Sequence, residues 1–356
     1  MMRKLKKLIV VSKFLSFRHE YLPYVLGHSL DTQMPKMSLC PPVVLYSHYT
    51  CAHVAYPLQL LQWIVRCYGR PAVRLPIFVT SLLLTVVAQA IPQNELEAKF
   101  ASQLLPGLNK SEFRGSFVGV SNIRVNYLVV PAQNPKGVII ISPGQAEPAL
   151  KYAELVHDLK GLGYTFYIID HRGQGASQRM LADPQRSHVE QFADYVTDFS
   201  HFVMQIVRPR SFKNSFILAH SMGGAIATGF LKHHPLEVTG VILSAPMFRA
   251  NTAYWGRNFS IWLAQQLDSS GLGSMYAPGQ KPFNPRLKFA DNTVTTSPER
   301  FKMLIKLMRL MPELQVGGTT VRWTREALTF TQALKQIGGL FQVPTILFQA
   351  ANDEWV

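Results

Sequence analysis

The spacing of apolar residues changes along this chain, and from about residue 110 it becomes regular. The stretch FVGVSNIRVNYLVV (117–130) alternates apolar and polar residues on either side of a turn, which predicts two antiparallel strands. GVIIIS (137–142) and TFYIID (165–170) are continuous apolar runs, as expected for strands buried on both faces. SFILAH (215–220), GVILSA (240–245) and PTILFQA (344–350) read as further core strands. Between them LKYAELVHDLKGLG (150–163), VEQFADYVTDFSHFVMQIV (189–207) and MGGAIATGFLKHH (222–234) have helical spacing, with Phe192, Tyr195, Phe199, Phe202 and Val203 along one stripe. Buried strands alternating with amphipathic helices predict an α/β chain with a mainly parallel, doubly wound sheet covered on both faces.

Between Pro246 and about Gln336 the rhythm breaks into a stretch rich in Pro, Met and aromatic residues. YWGRNFSIWLAQQL (254–267) sets Trp255, Phe259, Trp262, Leu263 and Leu267 along one helical stripe. Because core strands flank this stretch, it is expected to be a cap inserted at the C-terminal edge of the sheet, where ligands bind in such folds. Its apolar stripe has two uses, packing down onto the core and contacting an acyl chain. The expected organisation is a first part of the core at 110–246, the cap at 247–336 and a return to the core at 337–356.

The start of the chain reads differently. Residues 1–72 show no steady helical or strand period. The run RLPIFVTSLLLTVVAQA (74–90) then places one Arg before an apolar middle and closes on Ala88-Gln89-Ala90, the layout of a secretory signal. The uncharged stretch Leu75 to Asn94 is also long enough for a membrane anchor. Residues 73–93 are therefore expected to be a signal peptide or an anchor. Translation is expected to begin near residue 73, which makes residues 1–72 a leader of doubtful authenticity. The expected location is the cell envelope, membrane-associated or periplasmic, with the cytoplasmic face of the inner membrane as the alternative.

Charge modifies this picture less than its total implies. The net formal charge is +15, but residues 1–90 hold ten Lys and Arg against two Asp and Glu, so about half of it lies there. The rest is mildly basic and has no basic cluster interleaved with stacking aromatics, so a nucleic-acid partner is not expected. Cys40, Cys51 and Cys67 all precede residue 90, and with His48 and His53 they fit no zinc-ligand spacing. No metal and no cofactor are expected.

The candidate chemistry lies in FILAHSMGGAIA (216–227), where an apolar strand runs into Ser221 among small residues and a helix follows. An alcohol needs a base within reach and donors for the developing oxyanion. A strand-turn-helix elbow exposes such a serine over the sheet edge. The usual pattern is G-x-S-x-G, and here Ala219 replaces the first glycine. The oxyanion donors are expected to be the backbone amides of Met222 and of Gln145, the latter in the SPGQAEP loop after an earlier strand.

The segments ISPGQAEPALKYAEL, IIDHRGQGAS, AHSMGGAIA, LSAPM and LFQAANDEWV resemble the α/β-hydrolase family, and within it the bacterial lysophospholipases and their monoacylglycerol-lipase relatives. The resemblance runs from about Phe113 to Val356 and includes PELQVGGTTVRWTREAL of the cap. It implies an α/β-hydrolase fold, Ser221 as nucleophile, Asp353 as the acid that orients a histidine, and Gln145 and Met222 as oxyanion donors. Chain order in this fold is Ser, then Asp or Glu, then His. No histidine follows His234. The catalytic His is therefore expected beyond Val356, together with a final strand and helix missing from this sequence, and the chain as it stands is expected to be barely active.

His220 adjoins the nucleophile but should point elsewhere. His171 should support its own loop, and His233 and His234 end a helix far from the sheet edge. Glu147 and Asp198 are expected to be structural. The expected function is serine hydrolysis of the acyl ester of a lysophospholipid or monoacylglycerol, with a lipid substrate and a membrane surface as partners. The alternatives are a small ester or peptide terminus as substrate, and a hydrolase-fold binding protein that has lost catalysis.

Overall fold

Seven strands form one sheet in the order β1-β2-β4-β3-β5-β6-β7. The strands are β1 Arg114–Val118, β2 Arg124–Val130, β3 Gly137–Ser142, β4 Tyr164–Asp170, β5 Ser215–His220, β6 Gly240–Ser244 and β7 Thr345–Phe348. The structure is a computed structural model that describes residues 90–252, 256–334, 342–349 and 353. The expectations for residues 1–72, for the apolar run up to residue 89 and for Trp255 fall outside these residues. β1 and β2 form the predicted antiparallel pair, and β2 meets β4 antiparallel. From β4 through β3, β5 and β6 to β7 every pairing is parallel.

Strand side chains alternate between the faces of a sheet, and this alternation divides the core in two. Val138, Ile140, Tyr167, Ile169, Ile217 and Ala219 enter one apolar cluster, and Ile141, Phe166 and Ile168 the other. The first face is covered by α3 (Phe192–His201) and α4 (Met222–His233). The second is covered by α1 (Gln93–Lys99) and α2 (Ala153–Leu159). The predicted stripe of the third helix is confirmed, since Phe192, Tyr195, Phe199, Phe202 and Val203 are all buried.

The core begins earlier than residue 110. Ile91, Leu96, Phe100, Leu104, Leu105 and Leu108 are buried in the second cluster. Sequence period concealed this, because α1 continues into π-type turns at Phe100–Leu104, which shift the apolar positions off a 3.6-residue repeat.

The segment between β6 and β7 contains α5 (Arg257–Leu267), α6 (Pro298–Leu310) and α7 (Val321–Leu334). Two of these helices are built into the core. Met303, Leu307 and Met308 of α6 join the second cluster, and Trp323, Ala327 and Leu334 of α7 join the first. Trp323 Nε1 donates to Tyr195 Oη at 3.1 Å, and Phe330 stacks on Phe192 with centroids 4.5 Å apart. The N-terminus of α7 is capped by Thr320, whose hydroxyl accepts from the Trp323 amide and meets buried His188 Nδ1 at 2.9 Å.

α5 packs on α7 through a small separate cluster, in which Ala264 lies with Ala277 and Val321 and Leu267 packs against them. The expected stripe is divided: Leu267 is partly buried, whereas Phe259 and Trp262 are 40% and 53% exposed and lie 5.5 Å apart, centroid to centroid. Charge adds to the anchorage, since Asp268, just past the end of α5, pairs with Arg322 and Arg325 of α7.

If residues 91–108 are part of the core, Phe100→Ala should destabilise the protein by about 3–5 kcal/mol. Leu236→Ala, at a 67% exposed site, should change stability by less than about 0.5 kcal/mol. Urea unfolding of the two variants provides the check, and a small effect at Phe100 would detach this segment from the core.

Candidate active site

β3 is the point where the sheet changes direction. The chain leaves it to place β4 on one side and later β5 on the other. Loops that follow adjacent parallel strands on opposite sides of such a point border an open crevice, so the loop after β3 and the turn after β5 meet there.

The turn after β5 is the predicted elbow. Ser221 has φ 49° and ψ −117°, a conformation that a residue with a Cβ seldom adopts. Backbone bonds hold it on both sides. Its N–H donates to Ser244 O at 3.1 Å, and its carbonyl accepts from Gly224 and Met247, each at 2.9 Å. The two glycines after it are required by contact. A Cβ on Gly223 would collide with the Ser142 carbonyl, and one on Gly224 would press on Pro246. Ala219 needs no such freedom. It lies within the β5 ladder, paired with Ser142 on one side and Leu243 on the other, and its methyl is buried without a turn to make.

The loop 143–148 satisfies its amides one by one. Gly144 N–H donates to Glu147 Oε2 at 2.8 Å, Ala146 N–H to Gln174 Oε1 at 3.1 Å, and Glu147 N–H to Gly144 O. Ala149 N–H, just beyond, donates to Asp170 Oδ1 at 2.6 Å. Among the described residues the Gln145 N–H has no acceptor. The same holds for Met222 N–H, which opens α4 and has no carbonyl of its own helix to bind. The two expected oxyanion donors are thus the free amides of the two segments that meet at the crevice.

Gln174 is not among the site residues expected from the sequence. Its buried side-chain amide accepts from Ala146 N–H and donates to Gly144 O at 2.8 Å, so it spans the loop. The available signal was one long amide residue between two turn glycines, Gly173 and Gly175, both at positive φ.

Glu147 is structural, as expected, and lies at the rim of the site. Its carboxylate accepts from Gly144 N–H, from Tyr152 Oη at 2.8 Å and from Lys151 Nζ, and His220 Nε2 lies 3.6 Å away. Burial alone would raise its pKa. The charges of Lys151 and His220 and the donated hydrogen bonds outweigh that and bring it down to about 2. His220 donates from Nδ1 to Ser244 O at 3.0 Å, the same carbonyl that accepts from Ser221 N–H.

His171 supports its surroundings, also as expected. Its Nε2 lies 3.0 Å from Ser142 Oγ, and that hydroxyl donates to Gly223 O at 3.2 Å. With the Ser142 proton directed to Gly223, Nε2–H is the donor and the ring is neutral. Complete burial holds its pKa down to about 3. Arg172, next along, is fully buried and bidentate to Asp198 at 2.7 and 2.8 Å, with Asp194 at 3.1 Å. Asp198 therefore holds a loop and does not approach the elbow.

Asp353 lies beyond the C-terminal end of β7, two strands from the nucleophile strand β5, and accepts from Gln349 Nε2 at 3.3 Å. Among the described residues no imidazole hydrogen-bonds Ser221, and His233 closes α4 at its far end. No group of His, Cys, Asp and Glu among the described residues has the arrangement of a metal site.

Comparison with known proteins identifies the family and the fold. A family profile described as "Serine aminopeptidase, S33" matches residues 133–356. The chain is 39% identical over 243 residues to lysophospholipase L2 of Escherichia coli K12, covering 67% of this chain and 70% of the relative. It is 31% identical over 137 residues to a monoacylglycerol lipase of Mycolicibacterium smegmatis, covering 38% and 47%. Among solved structures it resembles a soluble variant of monoglyceride lipase from Saccharomyces cerevisiae, with a TM-score of 0.50 and 18% identity over 68% of this chain and 76% of the other. A thermostable carboxyl esterase from Bacillus coagulans gives a TM-score of 0.51 at 15% identity, over 65% and 77%. The two structures share the fold.

The buried His171 predicts a pH dependence. Its pKa is about 3 in the folded chain and 6.5 when exposed, so between these values the unfolded state binds a proton that the native state refuses. Its contribution to stability is complete above pH 6.5 and is lost as pH falls toward 3. In urea unfolding, the stability of the wild type relative to His171→Asn should be about 2 kcal/mol lower at pH 5 than at pH 7. An equal difference at both pH values would mean that the ring takes up its proton while folded.

Proposed function

We propose, because the chain belongs to the S33 family of α/β-hydrolases and is a serine ester hydrolase of that family, that it cleaves the acyl ester of lysophospholipids or monoacylglycerols through an acyl-enzyme on Ser221. The observation that carries the mechanism is the pairing of a strained, backbone-pinned serine with two unclaimed amides, those of Gln145 and Met222. Ser221 Oγ attacks the ester carbonyl carbon and passes its proton to an imidazole. The carbonyl oxygen gains negative charge and accepts the two N–H groups. The carbonyl re-forms as the C–O bond to the glycerol oxygen breaks, and the imidazole returns the proton to that oxygen. Water then repeats the sequence and releases the fatty acid. Fixed backbone donors are effective here because they need no reorientation as charge develops.

Asp353 is assigned the orienting carboxylate, on chain order and on its place past β7. The aromatic pair Phe259 and Trp262 on α5 is assigned the contact with a lipid surface of the cell envelope, since it stands exposed on a segment whose other helices are packed. The profile's description favours a second reading, in which a peptide amino terminus replaces the ester.

A panel of lysophosphatidylcholine, monoolein and an aminoacyl amide separates these readings. The lipid esters should be turned over and the amide left intact; the reverse would favour the peptide reading. Ser221→Ala should lower turnover by about 10⁴-fold or more and abolish labelling by a fluorophosphonate.

Gln174→Ala should lower kcat by about 10- to 100-fold with little change in KM, because the loop would lose its brace while substrate contacts remain. Steady-state kinetics on lysophosphatidylcholine measures the split, and an unchanged kcat would show that the loop holds itself.

A further inference from the structure

The loop after β3 has one contact that its own folding does not require. Gln145 Nε2 donates to Gly317 O at 3.2 Å, across 172 residues of sequence. Gly317 lies between α6 and α7, in the segment inserted between β6 and β7. Its carbonyl is a fixed acceptor. Gly317 N–H donates to Gln185 O at 2.7 Å, Gly318 N–H to Lys281 O at 2.8 Å, and Gly318 O accepts from Ser187 N–H at 3.1 Å. A Cβ on Gly317 would meet the backbone of Lys281, Pro282 and Phe283, so the strands of this junction lie in direct contact. Gln185 closes it from the side, with Oε1 accepting from Phe283 N–H at 2.8 Å.

The peptide that carries the Gln145 N–H is held at its other end too, because Gly144 O accepts from Gln174 Nε2. In a trans peptide the N–H points opposite the carbonyl, so fixing that oxygen fixes the direction of the amide. The Gln145 side chain fixes the remaining freedom, the position of its own Cα.

We propose that the Gln145 side chain is a positioning group that makes the oxyanion amide of the same residue depend on the seating of the β6–β7 insertion. This rests on the reading of Ser221 as an acyl-accepting nucleophile. An insertion seated with Gly317 against Gln145 holds the amide in place before charge develops. When the insertion is displaced, Gln145 loses its partner and the site loses a preorganised donor, while the nucleophile stays where β5 and α4 hold it.

The test uses the intact protein and two readouts: the rate of Ser221 labelling by a fluorophosphonate, which forms a tetrahedral centre with no lipid present, and kcat and KM on lysophosphatidylcholine. Gln145→Met keeps the length of the side chain and removes the donor. It should slow labelling and lower kcat by about 10- to 100-fold, with KM within about twofold and the melting temperature unchanged. Gln185→Leu loosens the acceptor side without touching the loop and should act in the same direction. The double variant should be no slower than Gln145→Met alone, because both remove the same restraint.

Unchanged labelling in Gln145→Met would overturn the proposal. So would factors that multiply in the double variant, or a rise in KM at constant kcat. If the wild type is labelled at Ser221 but hydrolyses neither lysophosphatidylcholine nor monoolein, the substrate reading fails and the labelling data alone decide the coupling. A wild type that is not labelled at all overturns both.

Discussion

The geometry at Ser221 is the constraint from which the site follows. A serine at φ 49° is strained, and the strain persists because the surroundings over-determine it. The β5 ladder fixes the residues before it, α4 fixes those after it, and bonds from Gly224 and Met247 to its carbonyl and from its amide to Ser244 close the turn. The cost of the conformation is of the order of 1–3 kcal/mol, well within what a sheet buried on both faces supports. The glycines at 223 and 224 follow from the same geometry: they let the first turn of α4 rest on the ends of β3 and β6.

The second feature is how the polar groups beside the elbow are used up. Buried amides are nearly always bonded, so a free one at a crevice is informative. In the loop after β3 each flanking amide has an acceptor supplied by a side chain or by the loop itself, and Gln145 is left over. Glu147, Gln174 and Asp170 supply those acceptors from three positions, and each has few other roles open to it. His171 works through Ser142 to Gly223, and as a neutral ring it brings no charge beneath the elbow.

Much of this was legible in sequence, and the exceptions have physical causes. β3, β5 and the start of α4 are found where the apolar runs place them, because a strand buried on both faces writes an unbroken apolar word. The elbow was legible because its residue sizes are dictated by contact with the neighbouring strands. The packing of α1 was hidden by its π-type turns, and the split role of the inserted segment by its composition: α6, α7 and α5 are comparably apolar, yet two join the main clusters and one packs on α7 while leaving Phe259 and Trp262 exposed. Gln174 showed only as a long amide residue between two turn glycines, and the Gln145–Gly317 contact left no trace, because a hydrogen bond between residues far apart in sequence has no period. Local pattern reports burial, whereas partnership across the chain depends on topology.

That division also explains why the reaction type is easier to assign than the substrate. On the proposed mechanism the elbow and the β3 loop act on the carbonyl that every carboxylic ester or amide presents, and nothing in Ser221, Met222 or Gln145 distinguishes a glycerol leaving group from an amino-terminal residue. A family profile described as a serine aminopeptidase and relatives described as lysophospholipase and monoacylglycerol lipase can therefore both match this chain. On the proposed mechanism discrimination is left to surfaces that touch the rest of the substrate, and we assign these to the segment between β6 and β7. If that segment both selects the substrate and braces the β3 loop through Gly317, as proposed, the surface that fits the leaving group also sets the geometry in which its departure is catalysed.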